Sequence, residues 1–161
     1  GLLCACLVSP SSPLGVTTIS ASHAKCLWLA SYFDLVLESD NIYSPFWMTH
    51  LANSVKIPST GAVLSSLKQC HTTKRVLLVS PEGADSLALA NRLADDGMEQ
   101  VFNLEGGLDA WKLAQGATQG GPCCVPPGLS CLASSGIKDD SAASEVWEAC
   151  TSGAGRAAAR P

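Results

Sequence analysis

Two short, wholly apolar runs, Leu35-Val36-Leu37 and Val76-Leu77-Leu78-Val79, do most to limit what this 161-residue chain can fold into. Each is too short for a helix. Neither alternates with polar residues, so both faces of each strand must be covered, as in a parallel sheet layered between helices. A third run, Ser54-Val55-Lys56-Ile57, stops at Pro58, which lacks the N–H a ladder needs. A fourth, Gln100 to Leu104, leads into Glu105-Gly106-Gly107, which permits a tight strand-to-helix turn. Helical periodicity fills the intervals: Ser20 to Ala30, Ala62 to Cys70, Ser86 to Asp96 and Leu108 to Ala114, with Leu108 and Trp111 on one face. Alternating strands and helices predict an α/β domain, a mostly parallel sheet with helices on both faces.

Composition sets the expected limits of that domain. Residues 1–15 form a turn-rich leader through Ser9-Pro10-Ser11-Ser12-Pro13 to Gly15. Residues 16–116 hold nearly all the periodic pattern. Residues 117–161, rich in Gly, Ser, Ala and Pro, read as a low-complexity, disordered tail, with a weak amphipathic segment at Ser144 to Cys150. The chain begins with Gly rather than Met, so a fragment of a longer protein is one reading. Leu2 to Val8 as the end of a truncated signal or membrane segment is another.

Fourteen acidic against ten basic side chains leave a net charge of −4, which argues against a nucleic-acid partner. No apolar stretch approaches the roughly 18 residues that a membrane-spanning helix needs. Eight cysteines (Cys4, Cys6, Cys26, Cys70, Cys123, Cys124, Cys131, Cys150) show no C-x-x-C pair, so no metal site or other cofactor is expected. Reduced thiols are the simplest reading of them, and the compartment stays open.

The segment Val101-Phe102-Asn103-Leu104-Glu105-Gly106-Gly107-Leu108-Asp109-Ala110-Trp111 closely resembles the closing motif of rhodanese-like domains: a strand, Gly-Gly, and a helix that opens on tryptophan. His50-Leu51-Ala52-Asn53-Ser54-Val55-Lys56-Ile57-Pro58 is similar to that family's His-Ile-Pro-Gly-Ala-x-x-Ile-Pro segment, with Ala52 and Asn53 replacing its Pro and Gly. Phe46 stands where an aromatic is usual. Ile19-Ser20 and Asp34 to Glu38 resemble its first helix and second strand, with Glu38 near the family's Asp. The resemblance spans about residues 17–116 and implies a three-layer α/β rhodanese-like domain.

In an active member, the resemblance implies, a cysteine at the end of the strand matched by Val76–Val79 accepts a sulfane sulfur. Loop N–H groups and a nearby cation stabilise the thiolate and the anionic donor. Here the loop reads Ser80-Pro81-Glu82-Gly83-Ala84-Asp85-Ser86. Ser80 occupies the nucleophile position, and a hydroxyl cannot hold a persulfide, so no catalytic residue is expected. Asp85 replaces the cation, Glu82 adds a second negative charge, and Pro81 removes a donor. Asp85 or Ser86 is expected to cap the following helix.

Other candidates are weaker. A serine hydrolase at Ser80 would need a base from His23, His50 or His71, and no G-x-S-x-G elbow is present. His50 reads as structural. Cys70 precedes the Val76–Val79 strand, on the wrong edge of the sheet for the loop. Glu38 and Asp40 read as solvated or capping carboxylates, and Tyr43, Phe46 and Trp47 as a loop able to anchor a partner or pack on the sheet edge. Members lacking the cysteine include the regulatory domains of MAP kinase phosphatases, which dock kinases through basic patches. This chain offers only Lys74-Arg75 as a basic pair, at the edge of a strand, so that partner class is not supported here. The expectation is a non-catalytic binding or regulatory module with a protein partner or small ligand. The alternatives are a sulfurtransferase using a cysteine elsewhere, such as Cys26 or Cys70, or a missing tandem domain, or a membrane-anchored module with its span upstream.

Overall fold

The structure, a computed structural model, describes residues 15–39, 48–57, 67, 69, 72–120 and 136–152. Its elements in chain order are β1 (Val16–Ile19), α1 (Ala21–Leu29), β2 (Leu35–Glu38), β3 (His50–Leu51), β4 (Val55–Lys56), β5 (Arg75–Val79), α2 (Ala84–Asp95), β6 (Gln100–Leu104), α3 (Gly107–Leu113), β7 (Thr118–Gln119) and α4 (Asp140–Thr151). Five strands form one sheet in the order β1-β6-β5-β2-β4, and every pairing within it is parallel. β3 and β7 make a separate antiparallel pair.

The two apolar runs occupy the centre of the sheet, as their lack of alternation requires. Val76 and Leu78 of β5 point to one face, with Leu35, Leu37, Val101, Ala90, Leu93 and Met98. Leu77 and Val79 point to the other, with Val36, Phe102, Leu104, Ala24, Leu27, Leu108 and Trp111. Helix α2 therefore covers one face and α1 and α3 the other, which makes three layers. Trp111 is fully buried, and its indole N–H donates to the Ala117 carbonyl at 2.9 Å.

Three features differ from the sequence expectations. Val16–Ile19 is an edge strand; Thr17 and Thr18 are exposed, which hides it from a search for apolar runs. The helix expected over 62–70 is not one of them: most of it lies outside the described residues, and Leu67 and Gln69 within it are helical, with Leu67 buried in the α2-side core. Most consequential is the segment expected to be a disordered tail. Residues 140–151 form α4, capped by the Asp139 carboxylate on the Ser141 N–H at 2.9 Å, and its Ala143 and Cys150 are buried in the α1-side core. Residues 121–135 and 153–161 lie outside the described residues. Helix α4 docks because its apolar residues, Ala143, Val146, Trp147 and Cys150, recur at three- and four-residue spacing and so form one stripe. The reading of reduced thiols also fails for two of the cysteines: Cys26 on α1 and Cys150 on α4 are joined as a disulfide, with Cα atoms 5.6 Å apart.

Candidate functional site

The loop from Ser80 to Ser86 leaves the C-terminal end of β5, where crevices form in parallel sheets. Ser80 is 1% exposed. Its Oγ accepts the Gly83 N–H at 3.0 Å and the Ser86 N–H at 3.1 Å, and donates to Ser86 Oγ at 2.9 Å. Ser86 Oγ in turn donates to Asn103 Oδ1 at 2.6 Å and lies 3.1 Å from the Gly83 carbonyl. The serine oxygen thus sits at the focus of the loop, where two backbone donors converge at the start of α2.

This arrangement corrects the capping expectation. Asp85 is exposed in the first turn, and the N-cap position is Gly83, with no side-chain cap. The donors that Asp85 or Ser86 was expected to satisfy point inward to Ser80 instead. Asp85 still interacts favourably with the helix dipole. Glu82 and Ala84 are exposed, and Pro81 is buried. The loop is clamped from the side by α3: the Leu108 N–H donates to the Ser80 carbonyl at 2.9 Å and the Asp109 N–H to the Pro81 carbonyl at 3.2 Å. That clamp requires glycine at 107, where φ is +62° and an added Cβ would stand 2.1 Å from the Ser80 carbonyl oxygen.

A second polar cluster joins β2 to the β3–β4 turn. Glu38, 2% exposed, accepts the Leu51 N–H at 2.8 Å and the Ser54 hydroxyl at 3.2 Å. Buried His50 places Nδ1 3.0 Å from both Ser54 Oγ and the Leu51 carbonyl. The residue types match a hydrolytic triad, but the order does not: the serine bridges acid and imidazole, and its proton points to the carboxylate. Nδ1 then carries the donor hydrogen and cannot act as a base toward Ser54. Glu38 is therefore neither solvated nor a cap, contrary to expectation. It ties the crossover segment to the sheet.

The remaining candidates are dispersed. His23 lies half-buried between α1 and α4, its ring 4.9 Å from that of Trp147. Arg75, of the basic pair Lys74-Arg75, is 5% exposed; Nε donates to the Tyr32 carbonyl at 2.7 Å, Nη2 donates to the Ile137 carbonyl, and Asp34 lies 3.7 Å away. Cys70, His71, Asp40, Tyr43, Phe46 and Trp47 lie outside the described residues. Among the described residues no group of His, Cys, Asp and Glu is arranged to hold a metal ion, and no helix is long and apolar enough to cross a membrane. Asn103 escaped the sequence reading. Its signal was a polar side chain in an otherwise apolar strand.

No family model matches the sequence. The chain is similar to the thiosulfate sulfurtransferase GlpE of Coxiella burnetii, with 25% identity over 91 residues that cover 56% of this chain and 84% of that protein. Among solved structures it is similar to the rhodanese-like domain of the Alr3790 protein from Anabaena sp., with a TM-score of 0.56, 22% identity, and coverage of 70% of this chain and 86% of that one. A rhodanese-like domain protein from Staphylococcus aureus gives a TM-score of 0.50 at 21% identity, covering 59% and 90% respectively. The parallel five-stranded sheet, its helices on both faces and these neighbours together give the chain the rhodanese-like α/β fold.

Proposed function

We propose that this chain is a rhodanese-like module whose loop accepts no sulfur and which acts by binding, as a protein-interaction or regulatory domain. The observation that carries this reading is the pair of N–H donors, from Gly83 and Ser86, that converge on a buried Ser80 hydroxyl. In a sulfurtransferase such donors stabilise a thiolate and its persulfide. A hydroxyl does not ionise near neutral pH and forms no persulfide, so here the same donors hold the loop shut. Asp85 and Glu82, both exposed beside the loop, would repel an anionic donor such as thiosulfate. The alternative, sulfur transfer through Cys26, is weakened by its disulfide to Cys150.

Thiosulfate-to-cyanide sulfur transfer by the full chain, run beside the Ser80→Cys, Asp85→Arg double variant, tests the reading. The native chain is expected at background and the variant above it, because the cradle persists and regains a sulfur nucleophile and a cation. Turnover by the native chain would sink the proposal and make Cys70 the first residue to replace.

A further inference from the structure

At the opposite end of the strands from Ser80, where β5 and β6 begin, a cleft of about 560 Å³ opens between the strand ends and α4. The volume is in the range of small-molecule sites. Its floor is aromatic. Tyr32, Phe102 and Trp147 form a mutual cluster with centroids 5.6 to 5.8 Å apart. Tyr32 and Phe102 are each 6% exposed, whereas Trp147 is half-buried and keeps part of its indole open.

Two further observations say what would fit. The first is charge: Glu99, Asp140 and Glu148 line the cleft against a single guanidinium, Arg75. That guanidinium is already committed, to the Tyr32 and Ile137 carbonyls, to Asp34, and to the Tyr32 ring face 5.1 Å away. Asp140 lies 4.0 Å from it, but the carboxylates of Glu99 and Glu148 have no partner among the described residues. The second is an unused donor: the hydroxyl of Tyr32, a residue more than nine-tenths buried, makes no hydrogen bond to the described residues and is not sealed in the core. Open to solvent, that hydroxyl can exchange its water for a polar atom of a ligand.

We propose that this cleft binds a small organic ammonium ion with a flat aromatic body, its ring against Trp147 and its charge at the carboxylates of Glu99 and Glu148. Stacking and cation–π attraction favour such a ligand over a simple metal cation, and the unpaired carboxylates favour it over an anion of the same shape. The proposal does not depend on the reading of the Ser80 loop, which lies about 16 Å away at the far end of five-residue β5.

The test uses the full chain with its disulfide intact and two probes that share an indole but differ in charge, tryptamine and indole-3-acetate. Titration calorimetry gives the affinities, and ¹⁵N amide shifts give the location. Tryptamine is expected to bind about tenfold more tightly than indole-3-acetate, a difference of about 1.4 kcal/mol, with shifts centred on Gln100 and Ser144. Glu99→Gln with Glu148→Gln, both at exposed positions, should cut that preference severalfold and leave the melting temperature unchanged. Equal or tighter binding of the anion, no binding of tryptamine, shifts centred elsewhere, or a preference untouched by the two substitutions would each overturn the proposal.

Discussion

A serine hydroxyl has one proton to give and two lone pairs, and Ser80 uses all three within its own loop. Periodicity located the loop between the strand Val76–Val79 and the following helix, and the resemblance to rhodanese-like domains singled out Ser80 within it. Its partners were not legible, because Asn103 reaches Ser86 from a strand 17 residues away in sequence. The same holds for Glu38, which resembled a solvated residue until the turn carrying Leu51 and Ser54 folded over it. Gly107 is the residue on which the closed loop most depends. Gly107→Ala is expected to destabilise the fold by about 1–3 kcal/mol from the backbone conformation alone, and by more once the Cβ meets the Ser80 carbonyl. Urea unfolding measures it; a change within about 0.5 kcal/mol, the range of ordinary surface substitutions, would show that the clamp by α3 is dispensable.

Among the elements, α4 is the one that the sequence undervalued. Its local signal is weak, with few strongly apolar residues in a Ser- and Ala-rich setting, and its stability comes from docking on α1 rather than from helix propensity. The Cys26–Cys150 disulfide closes a loop of 124 residues between the two helices, so its effect on the unfolded chain is large. Reduction by a dithiol passes two electrons and two protons to the bridge, leaving two thiols and a cyclic disulfide of the reductant. Loss of the bridge is expected to cost about 2–4 kcal/mol. Thermal unfolding with and without dithiothreitol should show a lower midpoint on reduction, and the Cys26→Ser, Cys150→Ser double variant should already sit at that lower midpoint. A midpoint indifferent to reductant would mean that α4 is held by packing alone. β1 teaches a related lesson: at the sheet edge, only Ile19 of its four residues is buried, so no apolar run marks it.

Across the whole molecule, two apolar clusters face away from each other across one sheet, and the α1-side cluster gathers residues from Ile19 to Cys150. Tyr32 lies in it, and burial pushes its phenol above the usual value of 10.0, with Asp34 adding to the effect and Arg75 opposing it. A raised pKa means that folding favours the protonated phenol. This contribution is complete below the unfolded value near 10 and is lost as pH rises through the higher folded value. Stability should therefore fall on the alkaline side above about pH 10, and Tyr32→Phe should flatten that decline; denaturant midpoints at pH 8 to 11 that fall in parallel for both chains would refute the assignment. What the sequence determined by itself was the α/β alternation, the central strands and the loop carrying Ser80, because each is written in side-chain patterns a few residues long. Only the tertiary structure decided the docking of α4, the Cys26–Cys150 bridge, the burial of Arg75 and Glu38 and the cleft beneath Trp147. Those depend on which surfaces meet across separations of 13 to 124 residues, and such meetings are set by the shape of the packed layers rather than by any local periodicity.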